Sequence, residues 1–191
     1  TGEQRVRWLA GKDGVLYVLL GGPAEHKPYS FYVPPVKSQI EEKTLFGREL
    51  IAWDLEAGKP LWRHREPVKI DYRNIAVTDD GLFFYAEKTR LAAFDPDTGE
   101  LLWESRGEWL DALERPPRFH NFYVARMSSL LAAEGVLRLA VAEGRNEYLF
   151  NAADGQVLAQ VGGKNQKTMI LDGAYCNGTR RYDLVTGKQL E

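Results

Sequence analysis

Cysteine is almost missing from this chain of 191 residues: Cys176 stands alone, so no disulfide can form within it and packing must hold the fold. Histidine is nearly as scarce, and His26, His64 and His120 have no neighbours at metal-ligand spacing, so the sequence offers no metal centre. No run approaches the roughly 18 consecutive apolar residues that cross a bilayer as a helix, and no secretory leader opens the chain. Blocks of like charge are absent too, and the net charge is −2. A general nucleic-acid surface and a polybasic membrane contact are thereby excluded. Cys176, beside Tyr175 on an apolar stretch, reads as a small packed hydrophobe; a nucleophile would need a histidine and a charged pocket that nothing here places beside it.

What the chain does have is 44% hydrophobic residues, ample for the core of one domain, and an internal repeat. Leu50-Ile51-Ala52-Trp53-Asp54-Leu55-Glu56-Ala57-Gly58-Lys59-Pro60-Leu61-Trp62 is echoed by Leu91-Ala92-Ala93-Phe94-Asp95-Pro96-Asp97-Thr98-Gly99-Glu100-Leu101-Leu102-Trp103. Each element has a mechanical reason. Apolar residues before Asp54 and Asp95 end one strand, and the Asp side chain accepts a backbone N–H two residues on. Gly58 and Gly99 supply the positive φ of a bulged turn, and the next strand carries Leu61 and Trp62, or Leu102 and Trp103. Weaker copies around Asn151, Gly155 and Leu158, and around Asp183, Gly187 and Leu190, keep the turn and the Leu but lose the Trp.

Upstream of each turn lies a second shared block: an apolar strand, a tight acidic turn and another apolar strand, at Trp8–Val18, Ile75–Tyr85, Leu130–Leu139 and Met169–Tyr175. Four short strands joined by tight turns make one blade of a β-propeller. The predicted fold is all-β, with four antiparallel four-stranded blades at about 4–64, 70–105, 128–161 and 166–191 in a single domain spanning 1–191. The turn glycines are 41, 56 and 32 residues apart, against roughly 40 for a blade. Insertions are therefore expected at 21–47 and 106–127, and the last blade is trimmed. The small blade number predicts a part of a larger propeller.

The Ala-x-Asp-x-x-x-Gly-x-x-x-Trp grammar of Ala52, Asp54, Gly58 and Trp62, and of Ala93, Asp95, Gly99 and Trp103, resembles the tryptophan-docking repeat of quinoprotein-like, or PQQ-like, β-propellers. The resemblance runs from about Trp8 to Leu190. It implies that Trp62 and Trp103 are structural, buried between blades, and that the protein is exported or periplasmic. It also implies two functions. One is a non-catalytic scaffold that binds a protein, peptide or glycan, as in scaffolds that assist outer-membrane protein assembly. The other is a fragment of a quinone-dependent alcohol or sugar dehydrogenase, with a calcium-held cofactor on the propeller axis. The adjacent cysteines that many such enzymes carry are excluded by the single Cys176, and no positions match the family's calcium ligands. The first reading is the better fit, with no cofactor, no metal and no catalytic residue assigned. Nucleic acid and direct membrane insertion are not expected, while self-association through uncovered blade edges is.

In an antiparallel blade the repeated Asp-Gly and Thr-Gly turns share one end and both insertions share the other. Long loops carry function more often than tight turns, and aromatics with arginine anchor binding surfaces. The candidate binding face is therefore Tyr29, Phe31 and Tyr32 from the first insertion with Trp109, Arg118, His120, Phe122, Tyr123 and Arg126 from the second. A short helical turn is predicted over Glu108–Glu114, stopped by Pro116 and Pro117. A second reading stands beside the first: these aromatics close the blade ends by burying one another. As an insertion residue, Trp109 is expected to tolerate replacement far better than Trp103.

Overall fold

The computed structural model of the chain describes residues 3–22, 29–30, 39–40, 46–86, 89–110, 128–140, 147–161 and 168–190. They are almost wholly β. β1 (Arg5–Lys12) and β2 (Val15–Gly21) open the first blade, and β3 (Tyr29–Ser30) and β4 (Gln39–Ile40) form a small ladder of their own. β5 (Phe46–Asp54) and the leading half of β6 (Lys59–Thr78) complete that blade. The second consists of the trailing half of β6, then β7 (Gly81–Ala86), β8 (Arg90–Phe94) and β9 (Leu101–Ser105). β10 (Ser129–Ala133), β11 (Val136–Ala140), β12 (Glu147–Asn151) and β13 (Val157–Val161) make the third. The fourth is β14 (Thr168–Leu171), β15 (Ala174–Asn177), β16 (Arg180–Asp183) and β17 (Gln189–Leu190). All pairings are antiparallel, and within a blade successive strands pair, with β2 meeting β5 past the separate β3–β4 ladder, the meander of a propeller blade.

Burial follows from the layering. The middle strands have a blade on each side, so every residue of β7 and of β11 is buried, and such strands read as continuous apolar runs rather than alternating ones. Three apolar layers result. Tyr17, Leu19, Leu50 and Ala52 of the first blade meet Leu82, Phe84 and Phe94 of the second. Phe83, Tyr85, Leu91 and Ala93 meet Leu137, Leu139, Tyr148 and Phe150. Leu149 and Val161 meet Tyr175, Tyr182 and Leu184.

The turn grammar is visible atom by atom. The Asp95 carboxylate accepts the N–H groups of Asp97 at 2.9 Å and Thr98 at 2.8 Å, and the Gly99 N–H closes on the Asp95 carbonyl at 2.9 Å. Asp54 and Asp183 do the same in their blades. The glycine that follows serves twice, once for its positive φ and once as a seat. A Cβ on Gly99 would lie 2.6 Å from the Trp62 ring, and one on Gly155 2.5 Å from the Trp103 ring. Each indole N–H donates at 2.8 Å to a carbonyl of the next blade, Pro96 for Trp62 and Ala152 for Trp103. Both tryptophans are half-buried rather than sealed between blades. In the third blade Ala159 stands at the tryptophan position, and its Cβ occupies the space above Gly187.

Two features depart from the sequence reading. The link expected between the first two blades is instead strand: β6 runs unbroken from Lys59 to Thr78, pairing with β5 and then with β7, so two blades share one seven-stranded sheet. At the crossing the charges are paired, Asp71 with its near neighbour Arg73 at 2.5 Å and Glu66 with Arg90 of β8 at 2.8 Å. In addition, the second blade turns through Asp79 and Asp80, with Gly81 opening β7. Only the other three blades use an acidic residue and a glycine both at positive φ.

Candidate binding face at the insertion end

The meander settles which groups share an end. The β1–β2 and β5–β6 turns and their counterparts lie at one end, and the β2–β5 and β9–β10 connections that hold the insertions lie at the other, with the remaining blade-to-blade links. Among the described residues the buried polar and charged ones are Arg7, Glu66, Asp71, Asn74, Ser128, Arg138, Glu147 and Asn177. Apart from Arg138, at the middle of β11, they lie towards the insertion end of their blades. At the turn end the capping residues Asp54, Asp95, Asn151 and Asp183 are half-buried.

Glu66 is 1% exposed where β6 passes from blade to blade. It accepts from Arg90 at 3.1 and 2.8 Å and bonds His64 at 2.8 Å. Burial pushes its carboxyl up, but the His64 and Arg90 bonds outweigh burial and hold it below the ordinary carboxylate value. Arg90 reaches Glu104 as well, at 2.6 Å, and His64 meets the Phe94 ring edge-on at 4.5 Å. Nearer the inner strands, Asn74 donates to the Ser128 hydroxyl at 2.6 Å, tying the second blade to the third. Arg7 donates to the Gly22 carbonyl at 3.0 Å.

Between the third and fourth blades the Arg138 guanidinium grips Glu147 at 2.7 and 3.2 Å and donates to Ser129 at 2.8 Å. The Tyr175 hydroxyl of the next blade donates to the same carboxylate. Burial opposes the Arg138 charge, yet the Glu147 bonds hold its pKa above the usual arginine value. Burial, reinforced by Glu147, pushes the Tyr175 phenol up. A buried pair of this kind is tolerable only with such complete partnering.

Of the sequence-selected face, Tyr29 lies on β3, paired with Ile40, while Phe31, Tyr32, Arg118, His120, Phe122, Tyr123 and Arg126 lie outside the described residues. Trp109 requires a correction. It begins the predicted helical turn, residues 108–110 being helical, but it is 7% exposed and belongs to the apolar layer between the second and third blades. Its ring meets Phe150 edge-on at 4.9 Å, with Tyr85 and Tyr148 alongside. An indole at the start of the insertion can reach the groove between two blades, and burying it there removes more apolar surface from water than presenting it. Trp109 therefore anchors the insertion. Sequence reading also passed over Glu66, Arg90, Arg138 and Glu147. Their one signal is a charge within or against an apolar strand, as in Leu137-Arg138-Leu139.

A quinone with calcium calls for carboxylate and amide oxygens left open to the metal. Here Glu66, Asp71 and Glu147 are each held by an arginine, and no group of three His, Cys, Asp or Glu able to hold a metal occurs among the described residues. Those residues do not fit such a cofactor.

Comparison with known proteins agrees with the repeat. A family model described as outer membrane protein assembly factor BamB matches residues 41–169, about two thirds of the chain. The chain belongs to that BamB family. No curated protein matches its sequence. Among solved structures, the computationally designed Ika4 protein is 12% identical, with a TM-score of 0.57 over 100% of this chain and 91% of that one. BamB from Moraxella catarrhalis is 12% identical with a TM-score of 0.52, over 97% of this chain. The chain spans 62% of that BamB's length and 60% of the designed Ika8 protein, to which it is 13% identical with a TM-score of 0.55. At these identities the likenesses establish the PQQ-like propeller fold alone.

Proposed function

We propose that this BamB-family chain is a non-catalytic binding scaffold whose insertion end seats a protein partner in an exported, envelope setting, as the family's description as an assembly factor implies. The observation that carries the reading is the contrast between the two ends. One is closed by short capped turns repeated in every blade. The other carries both long insertions, and the blades are firmly tied towards it: Arg138 pairs with Glu147, which also takes the Tyr175 hydroxyl of the next blade, and Asn74 bonds Ser128 of the third. A rigid frame that bears long connections suits a recognition surface, because ordering cost is met in folding rather than in binding.

The test is site-specific photocrosslinking in cells that produce the protein. Probes at Tyr32 and Tyr123 on the insertions are expected to give discrete protein adducts, whereas probes at Thr98 and Val185 on the turn end give none. Adducts only from the turn end would refute the reading. Saturable binding of pyrroloquinoline quinone with calcium in a calorimeter, followed by dye reduction with an alcohol, would replace it with the dehydrogenase alternative.

A further inference from the structure

A net charge of −2 conceals an uneven distribution that the meander creates. The β1–β2, β6–β7, β10–β11 and β14–β15 turns carry Asp13, Asp79, Asp80, Glu134 and Asp172, all exposed. The β5–β6 turn adds Asp54 and Glu56, the β8–β9 turn Asp95, Asp97 and Glu100, and the last two blades Asp154 and Asp183. Against these twelve carboxylates stand three lysines, Lys12, Lys59 and Lys188, so the turn end holds a net charge of −9. Of the 27 acidic and 25 basic residues in the chain, the remaining 15 and 22 give the rest of it +7. No block of like charge announces this, because each turn supplies only one to three carboxylates and antiparallel pairing alone gathers the turns at one end. Towards the insertion end the carboxylates are moreover turned inward: Glu66, Asp71 and Glu147 are buried, each held by an arginine. Where β6 crosses from blade to blade it carries Arg63, Arg65, Lys69 and Arg73, and Arg48 of β5 donates to the Pro67 carbonyl. Glu49 faces both Arg63 and Arg65. The crossing thus sets five cations against Glu49, Glu66 and Asp71, with the Arg65 side chain 66% exposed and that of Arg106, at the root of the second insertion, 56% exposed.

We propose that the partner of the insertion end docks through an acidic protein segment, and that charge decides which end it meets. This rests on the reading of that end as the seat of a protein partner and adds the chemistry of the partner. Strands of five to nine residues span about 17 to 30 Å, whereas screening at physiological salt acts over about 8 Å. The two ends are therefore separate electrostatic surfaces: the positive half draws carboxylates in, and the acidic turns repel them. Arginine supplies four of the five cations at the crossing, and its planar fork suits paired recognition of carboxylates.

The test titrates the 191-residue chain into a fluorescent oligoglutamate and follows anisotropy, with a glycine-serine peptide of equal length as control. Saturable binding that weakens as salt is added is expected for the oligoglutamate alone. Arg65→Glu with Arg106→Glu, at side chains already open to water, is expected to weaken it at least tenfold with the melting curve unchanged. Asp80→Asn with Asp97→Asn, on the turn end, leaves it within about twofold, since that end lies beyond the screening length. Carbodiimide coupling gives the position directly: the peptide joins Lys69 and spares Lys59 and Lys188 of the turns. No saturable binding overturns the proposal, as does equal sensitivity to the two pairs of substitutions or coupling to the turn lysines. Vesicles of phosphatidylglycerol and phosphatidylcholine that bind the chain where oligoglutamate does not would also overturn it, giving the positive half to a lipid surface. Discrete photocrosslinks from the insertions together with an oligoglutamate that fails to bind would overturn the acidic partner alone; photocrosslinks from the turn end only would overturn both readings.

Discussion

The junction between the second and third blades and the junction between the third and fourth perform the same task with different chemistry. The first is almost wholly apolar: Trp103 lies on Gly155, Phe83 lies 6.0 Å from the Trp103 ring, and Trp109 plugs the groove against Phe150. In the second, Ala159 replaces the docking tryptophan over Gly187, and Arg138, Glu147 and Tyr175 form a buried polar cluster. The comparison teaches that the glycine seat is the constant and the tryptophan is one way to fill it. Where the indole is missing, a hydroxyl of the next blade, that of Tyr175, bonds the paired Glu147 carboxylate.

The sharpest way to break the comparison is to remove one partner of the polar junction. Arg138→Ala leaves Glu147 buried beside Tyr175 without its cation, and a loss of about 3 to 5 kcal/mol is expected in urea melts. Replacing the pair together with Met and Leu should cost much less, since a buried pair often does no better than apolar residues of similar volume. Equal losses for the single and double variants would show that packing, and not charge, holds that junction.

The apolar junction yields next. Trp109→Ala is expected to cost about 3 kcal/mol or more and at least as much as Trp103→Ala, because Trp109 is the more deeply buried of the two. A tolerant Trp109 would return it to the exposed insertion. The glycine seats separate backbone from contact: Gly58→Ala, with open space above it, should cost about 1 kcal/mol for its positive φ alone. Gly155→Ala adds a collision with the Trp103 ring and should cost distinctly more. Equal losses would mean that the indole shifts freely.

The smallest expected effect is a pH slope. Burial opposes the Glu66 charge, but His64 and Arg90 hold its folded pKa below the unfolded value. Its contribution to stability is therefore complete above the unfolded carboxyl range of about 4.3 and is lost as pH falls through the depressed folded value. In acid titrations of stability, Glu66→Gln should flatten that part of the curve. An unchanged slope would assign acid sensitivity to other carboxylates.

Much of the fold was legible because its signals are local. A capped Asp, a glycine at positive φ and a following tryptophan each act within a few residues, and their recurrence predicted blades before any contact was known. The end that bears the insertions was legible in outline too, since antiparallel topology alone sends both to one side. Trp109 was misplaced by the same reasoning: loop position stood in for exposure, yet a large apolar side chain at the root of a loop can turn back into a groove formed by residues some 25 to 40 positions away in the chain. The buried charges were passed over because Glu66 and Arg90 are 24 residues apart, and nothing near either announces the other.

By itself, then, the sequence determined the repeating unit, its turns and the order of its strands, since these rest on backbone propensity and on side chains that bond their own neighbourhood. The tertiary structure alone decided that β6 runs unbroken between two blades and that Trp109 is core. It also decided that Ala159 takes a tryptophan's seat, and that one blade junction adds the Trp109 indole to its apolar layer while the next adds a bond from Tyr175 to the paired Glu147. Each of these depends on what the facing blade supplies at the point of contact. That complement is set by packing between residues distant in the chain, which no local pattern encodes.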